Sequence, residues 1–190
     1  MDRRDFLKTL AVTGAVMTVQ RSEAMDILAQ KLTNAGGGKV DLVAVMGGEP
    51  EAMFRRAITE MGGMKQFIKP GQKVVVKPNI GWDKVPELAG NTNPKLVAEI
   101  VKQCLAAGAK EVTVFDHTCD DWQKCYKNSG IEEAAKAAGA KVMPAHLESY
   151  YKPVSLPKGV RMKSAKVHEA ILNSDVWINV PLSLIHISEP

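Results

Sequence analysis

The sequence predicts an α/β domain built on a mostly parallel sheet with helices on both faces, as in Rossmann-like folds. Five short apolar runs alternate with helical segments, which is typical of successive β-α units. The string Ala-Ala-Gly-Ala-Lys occurs at 106–110 and again at 137–141, so one type of helix-to-strand junction is used twice. The runs are apolar almost throughout, as strands buried on both faces must be.

The apolar runs predict five strands, at 40–46, 73–77, 111–115, 141–143 and 176–180. Between them, the periodicity predicts helices at 51–61 and 94–107, a helix in two parts around 128–130, and a short helix at 167–172. Residues 147–163 have no regular pattern and are expected to be irregular. The segment 79–93 is long for a connection, which favours a binding loop.

Residues that favour helix ends support several of these boundaries. Asn93 is an expected N-cap before Pro94 at the first helical position, and Gly108 is placed to be a left-handed residue after that helix. Ser129 and Glu132 have the spacing of a capping box for the following helix.

Composition limits the classes of function. The chain of 190 residues is 45% hydrophobic and 24% charged, which allows one domain with a real core. Its formal net charge of +4 is small and scattered, so nucleic acid is not indicated as a partner.

The N-terminus has the features of an export signal. Arg3 and Arg4 precede Phe-Leu-Lys, an apolar stretch follows, and Ala24 ends a small-residue cleavage site. This pattern predicts a twin-arginine signal peptide at 1–24, with the twin-arginine translocase as partner and a periplasmic or extracytoplasmic location. The apolar stretch is too short for a membrane span, and an ordinary amphipathic N-terminal helix is the alternative.

The remainder of the chain divides into three predicted parts. Residues 25–39 read as a linker ending in three glycines, and residues 40–181 as the α/β domain, taken to be the N-terminal part of a longer domain. No capping element follows the last strand, so residues 182–190 are interpreted as a truncated or non-native tail.

Polar side chains are concentrated where the predicted strands end, which is where parallel sheets bind ligands. The candidates for binding a cofactor or small anion are Lys77, Asn79, Gly47 and Gly48. Strand ends at the same edge should bring Lys77 and Asp116 within about 10 Å of each other, in a pocket of small-molecule size beneath the 79–93 loop.

A second group of residues at this edge could bind a metal. Its members are Asp116, His117, Cys119 and Cys125, all of types that ligate transition metals. Cys119 beside a histidine could also act as a nucleophile. The structural alternative is a capping aspartate, a solvated histidine and cysteines that fill space.

One disulfide is possible among the three cysteines. A Cys119–Cys125 disulfide suits an exported protein, but it requires a non-helical start to the segment that joins them. Cys104 lies on the apolar stripe of a predicted helix and is expected to be an unpaired core residue.

Five strings, in order along the chain, carry a resemblance to a known family. They are Pro-Gly-Gln-Lys-Val-Val-Val-Lys-Pro-Asn at 70–79, Asn-Thr-Asn-Pro at 91–94, Ala-Gly-Ala-Lys-Glu-Val-Thr-Val at 107–114, Ser-Gly-Ile at 129–131 and Asp-Val-Trp-Ile-Asn-Val-Pro at 175–181. With these strings the chain resembles the family called domain of unknown function 362. The resemblance implies no established reaction. It implies longer members, some with iron–sulfur-type cysteine clusters, and a Lys and a His after Val180-Pro181 that this chain lacks.

Two functions are consistent with these features. The first is an exported enzyme that depends on a metal or cofactor and acts on a small anionic substrate. The second is a non-catalytic binding or electron-transfer accessory associated with iron–sulfur partners. The sequence does not identify a cofactor; the candidates are a transition metal and an iron–sulfur cluster of the complete protein.

Overall fold

The computed structural model describes residues 40–183. Three predicted segments lie wholly or mostly outside the described residues. They are the signal peptide at 1–24, the linker at 25–39 and the tail at 182–190, of which only the first two residues are described.

The described chain alternates strands and helices as expected for an α/β protein. The helices are α1 (Pro50–Glu60), α2 (Pro94–Ala106), α3 (Trp122–Asn128), α4 (Ile131–Ala137) and α5 (Glu169–Leu172). The strands are β1 (Lys73–Pro78), β2 (Glu111–Val114), β3 (Lys141–Val142), β4 (Tyr151–Ser155), β5 (Ser164–His168) and β6 (Val176–Val180). Single 3₁₀ turns lie at Met64–Gln66, Pro86–Leu88 and Glu148–Tyr150.

A four-stranded parallel sheet in the order β3-β2-β1-β6 forms the centre. β1 pairs with β2 in the register Val76 with Val114, and with β6 in the register Val76 with Ile178. β4 and β5 form a separate antiparallel pair. The predicted α/β class is therefore confirmed.

The first face of the sheet carries the larger apolar core. Val74 and Val76 of β1, together with Val112 and Val114 of β2, point to this face and are almost fully buried. The helices packed against them contribute the buried residues Ile58, Val97, Ile100, Val101, Cys104, Tyr126, Ile131 and Ala135. Burial of this amount of apolar surface is the main source of stability for the domain.

The second face is covered more thinly. Val75 points to it and packs with Phe115, Ala145 and Ala170, the last of which lies on the one-turn helix α5. His168 ends β5 and joins this cluster, because its ring stacks on Phe115 with the ring centroids 4.1 Å apart.

Two of the predicted elements are wrong. Residues 40–46 form no strand, and Leu42 and Met46 are each 84% exposed, so this apolar run has no sheet neighbour. Residues 147–163 are not wholly irregular, because they contain β4. β4 consists of exposed and half-buried residues without an apolar run, so the sequence pattern did not predict it.

The helix ends match the sequence signals only in part. Asn93 caps α2 by accepting a hydrogen bond from the Lys95 amide at 2.9 Å, and Gly108 follows α2 with φ of 102°. The predicted capping box is wrong, because Ser129 Oγ accepts weakly from Ile131 at 3.3 Å and the N-cap of α4 is Gly130.

Within residues 40–183, no helix combines the length and the hydropathy that crossing a membrane requires.

His168 should make the stability of this domain pH-dependent. Nδ1 accepts the α5 cap bond from the Ala170 amide at 3.1 Å, and Nε2 lies 3.1 Å from the Pro144 carbonyl oxygen, to which it donates. Only the neutral ring can accept a bond at Nδ1, and burial lowers the pKa of His168 despite its bond to Pro144. Since the unfolded chain takes up this proton first, the contribution is complete above about pH 6.5 and is lost as the pH falls from there through the lower folded-state pKa.

We therefore expect His168→Asn to lower the free energy of unfolding by about 1 kcal/mol at pH 8. Between about pH 7 and pH 5 the variant should lose less of its free energy of unfolding than the wild type does. Urea unfolding at several pH values measures both quantities. The exposed His146→Asn variant is the control and should retain the acid loss, because His168 is intact. Equal pH profiles for wild type and His168→Asn would contradict the assignment.

Candidate functional site

Lys77 and Asp116 meet at the carboxyl edge of the sheet. β1 and β2 run parallel in register, so the residues at their ends emerge side by side. Lys77 Nζ lies 2.5 Å from Asp116 Oδ1. The expectation that these two residues lie within about 10 Å of each other is confirmed, and the contact is a direct ion pair.

The carboxylate of Asp116 is the buried member of this pair. Its side chain is 5% exposed, whereas that of Lys77 is 34% exposed. The second oxygen, Oδ2, accepts a hydrogen bond from the backbone amide of Ile80 at 2.7 Å. A buried charge is tolerated when it is paired and hydrogen-bonded, and both oxygens of Asp116 have such a partner.

Tyr126 of α3 fixes the backbone beneath this carboxylate. Its hydroxyl accepts from the Asp116 amide at 2.8 Å and lies within donating distance of the carbonyls of Asp116 and Met143, at 2.8 and 3.0 Å. Burial raises the pKa of Tyr126, so the hydroxyl stays protonated. Tyr126 was not among the residues predicted from the sequence; the available signal was a tyrosine on the first short helix that follows Asp116.

Asn79 closes the base of the long loop. Its amide donates to Thr92 Oγ1 at 2.8 Å, its carbonyl accepts from the Thr92 amide at 2.9 Å, and its side-chain nitrogen donates to the Gly90 carbonyl at 3.1 Å. Asn91 holds the next turn by exchanging two bonds with the Trp82 backbone. The 79–93 loop is therefore a clamped loop beside Lys77, and the nitrogen of Asn79 already has a partner within it.

His117 is exposed and oriented by a backbone carbonyl. Its Nδ1 lies 2.9 Å from the Ala145 oxygen and 3.2 Å from the Tyr151 hydroxyl, which itself donates to Ala145 at 3.0 Å. A carbonyl only accepts, so this geometry places the proton on Nδ1 and leaves a lone pair on Nε2. The residue that follows Asp116 thus carries a ring nitrogen with a free lone pair.

Cys119 and Cys125 both contact Gly81 at the start of the loop. The Cys119 amide donates to the Gly81 carbonyl at 2.8 Å, and Cys125 Sγ lies 3.7 Å from the same oxygen. α3 begins only at Trp122, so the segment starts without helix, yet both cysteines are free thiols. Cys119 is exposed and Cys125 buried, and burial raises the pKa of the Cys125 thiol. Cys104 is free and buried as expected, and its burial raises its pKa to about 12.

The four residues predicted to bind a metal do not form one ligand set. Asp116 is committed to Lys77 and Ile80, His117 turns Nδ1 toward Ala145, and Cys125 is buried against Gly81. In the part of the chain that the structure describes, no three His, Cys, Asp or Glu side chains converge in a way that could hold a metal ion. A cluster held by four thiolates also does not fit the three cysteines of the sequence.

Gly47 and Gly48 precede α1 and are exposed, with φ of 80° and 125°. Ion pairs between Glu49 and Lys95 at 3.3 Å and between Arg55 and Glu99 at 2.9 Å show that α1 and α2 run in the same direction. The two glycines therefore lie at the end of α1 that faces the carboxyl edge. They follow no strand, because residues 40–46 form none.

Three cavities of the domain are formed by other residues. One of about 360 Å³ is lined by Lys73 and Thr113 among others, one of about 500 Å³ by Asp83 and Lys127 among others, and one of about 200 Å³ by Gly63 and Gln103 among others. The Lys77–Asp116 pair lines none of these three. It is accessible at the surface through the exposed third of Lys77.

We expect Tyr126→Phe to lower the free energy of unfolding by about 1–3 kcal/mol, because the change leaves the buried Asp116 amide without its acceptor. Tyr150→Phe is the matched control, since the Tyr150 hydroxyl makes no hydrogen bond within residues 40–183; its effect should stay within about 0.5 kcal/mol. Chemical denaturation of both variants measures the difference. Two equal effects would contradict the role given to the Tyr126 hydroxyl.

Comparison with known sequences confirms the export signal. Residues 1–19 match the twin-arginine translocation pathway signal sequence. The chain is therefore exported across a membrane by the twin-arginine translocase, as the paired arginines predict.

A known protein matches a short stretch of the chain. The thylakoid-associated protein sll1697 of Synechocystis sp. is 36% identical over 59 residues, which are 31% of this chain and 18% of that protein. The chain thus aligns with less than a fifth of that relative. No solved structure gives a significant match. Residues 74–188 match the family model named Domain of unknown function (DUF362), and since this is more than half of the chain, the chain belongs to the DUF362 family.

Proposed function

We propose that the exported domain binds a small oxyanion, a carboxylate or a phosphate, at the carboxyl edge of its sheet. The observation that carries this proposal is the Lys77–Asp116 pair, in which a buried carboxylate holds a partly exposed ammonium group in one position. One donor of Lys77 points to Asp116, and the ammonium group has two more. A held ammonium loses less side-chain entropy on binding than a free one, which favours binding of an anion.

His117 gives the same position a proton acceptor. The Ala145 carbonyl holds the ring with its proton on Nδ1, so Nε2 can take a proton from a bound ligand. The negative charge of the Asp116 carboxylate, one residue earlier in the chain, would stabilise the imidazolium that forms. We propose an enzyme in which Lys77 anchors the anion, His117 exchanges a proton with it, and Asp116 positions Lys77.

The remaining predicted residues take lesser parts in this proposal. Gly47 and Gly48 are exposed at the end of α1 nearest this edge, where their amides can extend the anion site. Asn79 does not contact the anion in this proposal; it holds the 79–93 loop in place beside Lys77. Cys119, two residues after His117 in the sequence, contributes an exposed thiol.

A second candidate is an electron-transfer accessory protein. It is supported by a run of rings in contact, Trp122–His146–Tyr150–His168–Tyr151–His117, with successive centroids 4.4 to 6.2 Å apart. Metal analysis and an absorption spectrum of the full-length protein from its native export host separate the two candidates. A coloured, redox-active product supports the accessory role, and a colourless, metal-free, folded product contradicts it.

Anion binding is tested by calorimetry on the folded, exported protein with acetate, lactate, succinate, inorganic phosphate and a simple phosphomonoester. We expect binding of at least one of these, weakened at least tenfold by Lys77→Met, because the change removes the anchoring charge. Lys102→Met, an exposed lysine in α2, is the matched control and should bind like the wild type.

His117→Gln separates binding from proton transfer. It should bind the same anion within a few-fold of the wild type but release or take up fewer protons on binding, which calorimetry in buffers of different ionisation enthalpy detects. If no member of the panel binds, or if Lys77→Met binds as well as Lys102→Met, the proposal fails.

A further inference from the structure

The cavity of about 360 Å³ lies on the second face of the sheet, at the edge opposite the Lys77–Asp116 pair. It is enclosed by the starts of β1 and β2, by Met143 after β3, and by α5 with the residues that follow it. Its volume falls at the lower end of the range for small-molecule sites, so it suits a ligand of few atoms.

A hydroxyl that lines this cavity has no hydrogen-bond partner among the described residues. Thr113 pairs with Val75 in the sheet register, so its side chain points to the second face, and it is 7% exposed. Among residues 40–183 its hydroxyl makes no hydrogen bond, although most buried polar side chains have one. A hydroxyl that lines a cavity and lacks a protein partner is available to a molecule in that cavity.

The rim of the cavity carries charges of both signs. Glu111 is already committed to Lys141, whose hydrogen bond lowers the pKa of the Glu111 carboxyl. Lys73 is exposed and has no ion-pair partner in the described part of the chain. Glu169 has only a distant partner, Lys152 at 3.9 Å. The ammonium group of Lys73 is therefore available to a negative charge, and the carboxylate of Glu169, whose ion pair with Lys152 is long, can exchange that partner for a ligand's positive charge.

We propose that this cavity binds a small zwitterion of the amino-acid type. The ligand's carboxylate would pair with Lys73, its ammonium group with Glu169, and the Thr113 hydroxyl would hydrogen-bond to one of its polar groups. A ligand with a single charge would leave one rim charge unmatched, and a larger ligand would exceed the volume. The cavity and the Lys77–Asp116 pair lie at opposite edges, so each proposal stands without the other.

Isothermal titration of the full chain with glycine, alanine and serine tests this inference. Acetate and methylammonium, which each carry half of the charge pattern, are the matched ligands. They are titrated into the Lys77→Met variant, where the anion site proposed at the carboxyl edge is removed, and should bind at least tenfold more weakly than the amino acids. Thr113→Val keeps the shape of the side chain and removes the hydroxyl. We expect it to weaken amino-acid binding at least fivefold while leaving the unfolding midpoint unchanged or higher, because no bond within the domain is lost.

Thr59→Val, an exposed threonine on α1, is the control variant and should bind like the wild type. The inference is overturned if no amino acid binds, which would mean that the cavity holds water only, or if the half-ligands bind equally well. It is also overturned if Thr113→Val binds unchanged, or if that variant is destabilised without ligand, because the hydroxyl would then have a partner in the protein.

Discussion

The Asp116 carboxylate, buried just beyond the end of β2, is the constraint on which the carboxyl edge depends. A charge at this depth is costly unless each oxygen is paired, and the two partners come from different segments. Lys77 is supplied by the end of β1, and the Ile80 amide by the start of the long loop. The ion pair therefore fixes where β1 ends, where the loop begins and where the ammonium group points.

The backbone of Asp116 ties a third element to the same point. Tyr126 of α3 binds the Asp116 amide, and the turn between them carries His117 and Cys119. Since Gly81 accepts from Cys119 and contacts Cys125, the loop and α3 are held together at a second place. The elements around the edge thus depend on one another, which is how a rigid site is usually supported.

Much of this edge could be predicted from the sequence because it follows from strand order. The apolar runs at 73–77 and 111–115 predict β1 and β2 with an error of one residue at the end of each strand. Parallel pairing of the two strands then places Lys77 beside Asp116. The Asn93-Pro94 pair gives the start of α2 for a local reason, since the cap bond lies within three residues. The twin-arginine signal is likewise a local string.

The predictions that failed depend on partners distant in sequence. The run at 40–46 has strand composition, but a strand forms only where a neighbour pairs with it. The ligating types at 116–125 suggested a metal, yet the pairing of Asp116 with Lys77 and the orientation of His117 by Ala145 are set by residues more than 25 positions away. Tyr126 was missed because a single tyrosine carries no local signal for its contacts, which are with the backbone of Asp116 just beyond β2 and of Met143 after β3.

A double-mutant cycle between Asp116→Asn and Lys77→Met tests the central constraint most directly, with the free energy of unfolding as its measure. If the pair holds the edge together, the two changes are strongly coupled, and the double variant is more stable than the sum of the single losses predicts by about 1 kcal/mol or more. Additive losses, within about 0.3 kcal/mol, would mean that Lys77 and Asp116 act independently, and they would contradict this account of the site.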